Sequence, residues 1–587
     1  MELASSSPRS TSLSVSGLAG FTVSNAWDGF GRLAEVTSSC PGLPAPVAAS
    51  YTYYPAGQVS NVTTVAGTTG YGLDEADRLA AITPPQGGTF TYAYNPWNGL
   101  AAAVSNPSGL SAEYAYDILD RPTNITYKTS GGAELMAFEY AYDAVGQVTN
   151  ATKVVHGIPA VPASSTAYAY DSLGRLVYET TQAAGSPQPE ARGYAYDLSG
   201  NRTASSRNGA GTAYAYQPGC NRLASSSDGA TYTHDAAGNI TRIIRNGVTM
   251  DLEWDIRYQL IAVSTNGVPA EAYTYDPLGR RASTATAEGT VYHVYDGIHC
   301  AADLDPSGNL LMSYTYGPGV DNLLAVSVHA SGAPVTYHTI TDRLGTVHAL
   351  ADSAGNIAAS YQYDAWGNVL SSTINSSLLT INSFRFLFQG REYSCATGLY
   401  NFRARWYDPV TGRWLSNDPI GISGGLNQYV FCDNDPVNCQ DPYGLTSYKD
   451  GEKTAQRYRQ QLHRDRWSFC RWAFCFPWSI DEVYQWSMGE GRDLKVCDPD
   501  GKYSFRGGVY SASQQGNINA AYAFTCEYGI RAGIAVSIAG EVPDIVRNIG
   551  DRNLPQAFYD ALGSFYANAI GIGAAIKDQF PLILILR

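Results

Sequence analysis

The sequence predicts a mostly β protein: a repetitive array of β-hairpins, followed by a smaller α-rich or α+β C-terminal domain. Three observations carry this. A Tyr-x-Tyr-Asp-x-x-Gly unit recurs from near residue 20 to about residue 370. Tyr is over-used, with 43 against 17 Phe, and Gly reaches 59 of 587 residues. Helical periodicity is nearly absent before residue 446, where the composition changes.

The repeat is clearest in YAYDILDRPTNIT at 114–126, YAYDAVGQVTNAT at 140–152, YAYDSLGRLVYET at 168–180, YAYDLSGNRTAS at 194–205 and YTYDPLGRRASTA at 273–285. Alternating Tyr-x-Tyr reads as a strand with one aromatic face. Asp followed by x-x-Gly reads as a turn, in which Asp bonds nearby backbone and Gly supplies positive φ. The residues after it resume a strand. One hairpin is not stable alone, so the units must stack into a long coiling sheet with tyrosine ladders. Repeated pairs such as Asp171 and Arg175 suit turn chemistry better than a carbohydrate or metal site. The sequons at Asn61, Asn124 and Asn150 are incidental in a Thr-rich chain.

Net charge is −14. Residues 1–445 hold 22 Lys and Arg against 37 Asp and Glu, whereas residues 446–587 hold 16 against 15. The first segment is therefore acidic and ill suited to nucleic acid. Only Lys128 and Lys153 precede residue 446, and five lysines follow it. That break argues for two modules. Ten cysteines without a CxxC pair, and a single histidine (His463) after residue 445, make a zinc site and any other cofactor unexpected. The N-terminal stretch does not read as a signal peptide, and no apolar run has the length of a confident membrane span.

Residues 389–445 read QGREYSCATGLYNFRARWYDPVTGRWLSNDPIGISGGLNQYVFCDNDPVNCQDPYGL. Peptide hydrolysis needs an activated water and a proton for the leaving amine, and two carboxylates sharing a proton supply both. Asp418 and Asp441 each precede a proline. Asp-Pro is also a common turn starter, so residue types alone favour a structural role for both.

The repeat consensus resembles the YD repeat of bacterial RHS proteins, toxin-complex C subunits and teneurins. The RxYDPxxGRWLSxDP, GGLNxYxxxxNxP and DPxGL stretches resemble the RHS repeat-associated core domain. The resemblance implies three domains: a YD-repeat β-shell over 1–370, a self-cleaving core over 371–445 and a variable effector over 446–587. It implies that the strands coil into a hollow shell around the chain's own C-terminal domain, though this array is short for the family. It implies aspartic-protease-like cleavage between Leu445 and Thr446, with Asp418 and Asp441 as the dyad and Arg405 aligning it. Asp408, Asp433 and Asp435 are weaker substitutes, and Gly444 is expected to keep the backbone extended before the cut.

The implied function is a bacterial polymorphic toxin chain, secreted or displayed at the cell surface, which releases its effector. A cognate immunity protein and secretion-system components are candidate partners. The alternative is a non-toxic cell-surface repeat protein that binds glycans or protein partners.

Residues 446–587 carry no enzyme constellation. Residues 452–467 read as a basic helix with a solvated face, and 499–511 as a hairpin. Arg506, Ser511, Ser513 and Glu541 follow an ADP-ribosyltransferase order without its spacing. The runs 532–540 and 561–576 are apolar and small-residue-rich. A buried helical hairpin is the plain reading, and membrane insertion the sharper one.

Overall fold

A computed structural model of the chain describes residues 11–14, 20–156, 162–329, 332–376, 384–445, 448–449, 532–536 and 582–586. Contacts divide the chain into two compact units, Met1–Arg457 and Tyr458–Arg587.

In the first unit, 33 strands, β1 (Thr11–Ser14) to β33 (Val369–Ile374), form one sheet. Each pairs antiparallel with its neighbours in sequence, as in β14 (Ser164–Tyr170) with β15 (Leu176–Ala183) and β16 (Glu190–Tyr196). The alternation of Tyr with small residues thus becomes a hairpin meander. Among the described residues of this unit, helix is limited to 3-10 turns such as Phe388–Gly390 and Cys432–Asn434.

The repeat explains its own residues. Asp171 Oδ1 accepts from the Leu173 and Arg175 backbone N–H groups at 2.9 and 3.0 Å, and its Oδ2 accepts from Arg175 Nε at 2.7 Å. Arg175 then lies 4.9 Å from the Tyr196 ring centre and donates to the Asp197 carbonyl at 2.8 Å. The Tyr196 hydroxyl donates back to the Leu176 carbonyl at 2.7 Å. Each unit is therefore stapled to the next through turn, cation–π and tyrosine contacts. Asp171 and Arg175 are turn groups.

The sheet returns onto itself. Tyr51 donates to Asp296 at 2.6 Å, and Tyr127 to the Thr341 carbonyl at 3.0 Å. Residues 384–445 pack against the sheet through β34 (Glu392–Ser394), β35 (Leu399–Phe402), β36 (Arg405–Asp408) and β37 (Arg413–Trp414), an antiparallel four-stranded sheet. Its aromatic centre joins Tyr400, Phe402, Tyr407, Trp414 and Phe431, with the Tyr407 and Phe431 rings 4.2 Å apart. Asn438 ties it to the repeats, accepting from the Val148 N–H at 2.9 Å and donating to the Tyr170 hydroxyl at 3.0 Å.

In the second unit the described residues form β40 (Ala532–Val536) and β41 (Leu582–Leu586), an antiparallel pair. This corrects the helical reading of the start of 532–540: Ala532–Val536 is a strand, because the apolar C-terminal run offers it a backbone partner. The segments 452–467, 499–511 and 561–576 lie outside the described residues, as does the remainder of the expected α-rich or α+β domain.

Candidate active site in the core segment

Three short elements bring the site together. Arg405 opens β36. Asp418 follows β37 in a turn, where its carbonyl accepts from Gly421 N–H at 2.9 Å and its Oδ1 from Ile420 N–H at 3.0 Å. Asp441 follows β38 (Cys439–Gln440) in a second turn, where its carbonyl accepts from Gly444 N–H at 3.2 Å and its Oδ1 from Leu445 N–H at 3.0 Å. Both Asp-Pro pairs are turn starters, and each turn uses only one carboxylate oxygen. The other oxygen of each meets Arg405: Nη2 lies 2.9 Å from Asp418 Oδ2 and 3.3 Å from Asp441 Oδ2.

All three side chains are almost fully buried, at 2–3% exposure. Burial pushes the Asp418 carboxyl up to about 6 against the opposing pull of Arg405 and the Ile420 N–H, and the Asp441 charge adds to the rise. Burial also lowers the Arg405 guanidinium from its ordinary value, with Asp441 and Asp418 opposing. Arg405 is fixed on its other sides by the Gly444 carbonyl, by the Gln428 carbonyl at 3.0 Å and by the Trp414 ring, whose centre lies 4.1 Å away.

The chain leading to Leu445 is held along its length. Arg403 donates to the Pro442 carbonyl, Ala404 N–H donates to the Tyr443 carbonyl at 3.1 Å, and Arg405 takes the next carbonyl. Gly444 is not extended as expected. Its φ is +68°, and a Cβ there would come within 3.0 Å of the Arg405 backbone nitrogen and closer still to the Phe402 carbonyl. Glycine is needed because the chain makes a left-handed turn against β35 and β36. Thr446 lies outside the described residues.

The weaker candidates are occupied elsewhere. Asp408 pairs with Arg245 and accepts from Thr411 at 2.8 Å. Asp435 accepts from Asn438 at 2.8 Å. Asp433 is exposed in the Cys432–Asn434 turn. Sequence reasoning missed Gln428, Trp414 and Gly424. A Cβ on Gly424 would overlap the Asp418 carboxylate and lie 2.8 Å from the Leu445 carbonyl oxygen. The available signal was the Gly-Gly pair six residues after Asp418.

His293, Cys300 and Asp303 form a buried cluster with ligand atoms within 4.8 Å of one another. It does not suit a metal ion. Arg385 Nη2 already sits 3.2 Å from Cys300 Sγ, 3.3 Å from His293 Nδ1 and 3.1 Å from Asp303 Oδ1, so a cation fills the place. The Cys300 thiol is pushed well up by burial and by Asp303, which leaves it unreactive.

A family model, the teneurin YD-shell, matches residues 107–437, more than half of the chain. The chain belongs to the teneurin YD-shell family. The family chain is 30% identical over 261 residues to the tRNA3(Ser)-specific nuclease WapA of Bacillus spizizenii, covering 43% of this chain and 11% of that protein. It is 32% identical over 243 residues to the double-stranded DNA deaminase toxin A of Burkholderia cenocepacia, covering 36% of this chain and 17% of that one. The matches thus span well under a fifth of each relative's length. The crystal structure of TcdB2-TccC3-Cdc42 shares the fold, with a TM-score of 0.62 at 20% identity, covering 73% of this YD-shell chain and 24% of that one.

Proposed function

We propose that the YD-shell chain is the shell and self-cleaving core of a polymorphic toxin, and that residues 446–587 are the effector it releases. The names of two relatives, a tRNA nuclease and a DNA deaminase toxin, support the toxin reading. One observation carries the cleavage: Arg405 joins Asp418 to Asp441, and Asp441 holds the N–H of Leu445.

In this reading Asp418, raised by burial, is the protonated partner and donates to the Leu445 carbonyl oxygen. Asp441, paired with Arg405, takes a proton from water. The water oxygen bonds to the Leu445 carbonyl carbon. Asp441 then passes the proton it took to the Thr446 nitrogen as the bond to that nitrogen breaks, and the proton on the former carbonyl oxygen returns to Asp418 as the carbonyl re-forms. The product is a Leu445 carboxylate and a free Thr446 amine. The tethered bond meets the dyad at high effective concentration, which offsets weak intrinsic reactivity.

Release of the effector at a secreted or cell-surface location, opposed by an immunity protein, completes the reading. Membrane action remains the effector activity we favour, on the apolar 561–576 run. No helix among the described residues is long and apolar enough to cross a membrane. Two measurements test the whole. Mass spectrometry of the purified chain should find a fragment ending at Leu445. Expression of residues 446–587 alone should arrest growth; unimpaired growth both with the segment in the cytoplasm and with it in the periplasm would count against an effector.

A further inference from the structure

We infer that Gly424 is a positioning residue for the cleavage, its missing side chain being the space in which the Leu445 carbonyl meets Asp418. The inference rests on the cleavage reading above and goes beyond it, since no part of that reading requires a residue in the 421–425 turn.

The three atoms nearest to a Cβ built on Gly424 are Asp418 Oδ2 and Cγ and the Leu445 carbonyl oxygen, the last two at 2.8 Å. All three belong to the reacting groups. Gly424 is itself exposed, at the end of the short Gly421–Gly424 turn. Its φ lies outside the left-handed region, so an L-residue fits the backbone. The backbone at 424 therefore does not itself demand glycine, while the site does so sterically. A methyl group would wedge between the carboxylate and the carbonyl it is to protonate. Because real Cβ atoms do not tolerate contacts under 3.0 Å, something must shift, and Asp418 Oδ2, the nearest atom, is crowded most. Loss of near-attack placement of this size lowers rates steeply.

Gly425 is the natural comparison. Its φ is +134°, so a side chain there strains the backbone, yet a Cβ meets nothing within 4 Å. Alanine at 425 perturbs the turn without touching the reacting groups. Alanine at 424 does the reverse.

The test uses the full chain, freshly translated in vitro, with the first-order rate of cutting measured across pH. Gly424→Ala should cut at least about tenfold more slowly than wild type. Gly425→Ala should cut faster than Gly424→Ala. Since the methyl crowds Asp418 Oδ2 more closely than any other atom, it shifts that carboxylate, and the falling limb of the Gly424→Ala pH profile should move away from its wild-type position. Melting temperatures, read in the uncleavable Asp418→Asn background, should be unchanged by Gly424→Ala. Wild-type cutting by Gly424→Ala overturns the inference, and so does slow cutting with an unmoved pH profile. So does a larger loss in Gly425→Ala, which would assign the effect to turn stability. If wild type itself stays whole, the cleavage reading fails first, and the two failures are told apart by that control.

Discussion

The backbone N–H of Leu445 donates to Asp441 Oδ1 at 3.0 Å. One carboxylate thus grips the residue whose carbonyl is to be attacked, while its second oxygen rests on Arg405. Asp441 is placed by the chain it is proposed to cut, which ties the end of DPYGL to the dyad within a single turn.

Cutting should be faster in mild acid than in mild base. Burial pushes Asp418 up to about 6, and the proposed mechanism uses its protonated form. That form is depleted as pH rises through this value. The single-turnover rate should therefore fall by about tenfold for each pH unit above it. A rate that rises steadily from pH 5 to pH 8 would exclude Asp418 as the acid.

Removing Arg385 should destabilise the shell strongly. Its guanidinium pairs with Asp303 and lies 2.9 Å from Glu392, both buried, and Arg281 also pairs with Glu392. Burial alone raises the Glu392 carboxyl, but Arg281 and Arg385 outweigh it and hold it well below the usual range. Arg385→Met leaves two buried carboxylates short of a cation, at a cost of about 3–5 kcal/mol in urea unfolding at pH 7. The folded-state value is depressed, so the stability from this pair is present above the ordinary carboxyl range and lost as pH falls below it. A loss under about 1 kcal/mol at pH 7 would make the network dispensable.

Glu179 should behave in the opposite sense. Burial raises its carboxyl, and the neighbouring Asp364 charge adds to the rise, with Tyr194 donating to it at 2.7 Å. Its folded value is raised to about 7, so stability is lost as pH rises from the ordinary carboxyl range through that value. Glu179→Gln keeps a hydrogen-bonding group and removes the charge. It should raise the melting temperature at pH 8 and do so less at pH 5. An equal effect at both values would mean that Glu179 is not carrying this cost.

Within the repeats, Tyr196→Phe removes the bond to the Leu176 carbonyl and keeps the ring that Arg175 covers. The expected loss is about 1 kcal/mol, read by chemical denaturation. No measurable loss would mean that the ladder depends on ring packing alone.

The repeats were legible because their structure is local. Asp171, Gly174 and Arg175 close a turn within a few residues of chain, and the tyrosines alternate within a single strand. The site was legible only in part. Motif resemblance named Arg405, Asp418 and Asp441, and the structure brings both aspartates within hydrogen-bonding distance of Arg405. Gln428, Trp414 and Gly424 escaped notice because each approaches the dyad only through the folded path of the chain. Gly444 was misread although Asp441 to Gly444 repeats the Asp-x-x-Gly turn pattern, which already places glycine at positive φ; its close approach to Phe402 and Arg405 is what only the fold shows. Ala532–Val536 was read as helix because its small residues fit either state, and the strand it pairs with lies about fifty residues away.

The most direct test of the account is denaturing electrophoresis of the full-length chain beside its Asp418→Asn and Asp441→Asn variants. The account predicts two bands for wild type, about three-quarters and one-quarter of the length, and one intact band for each variant, since each loses half of the shared-proton pair. A single intact band from folded wild-type protein, or two bands persisting in both variants, would contradict it.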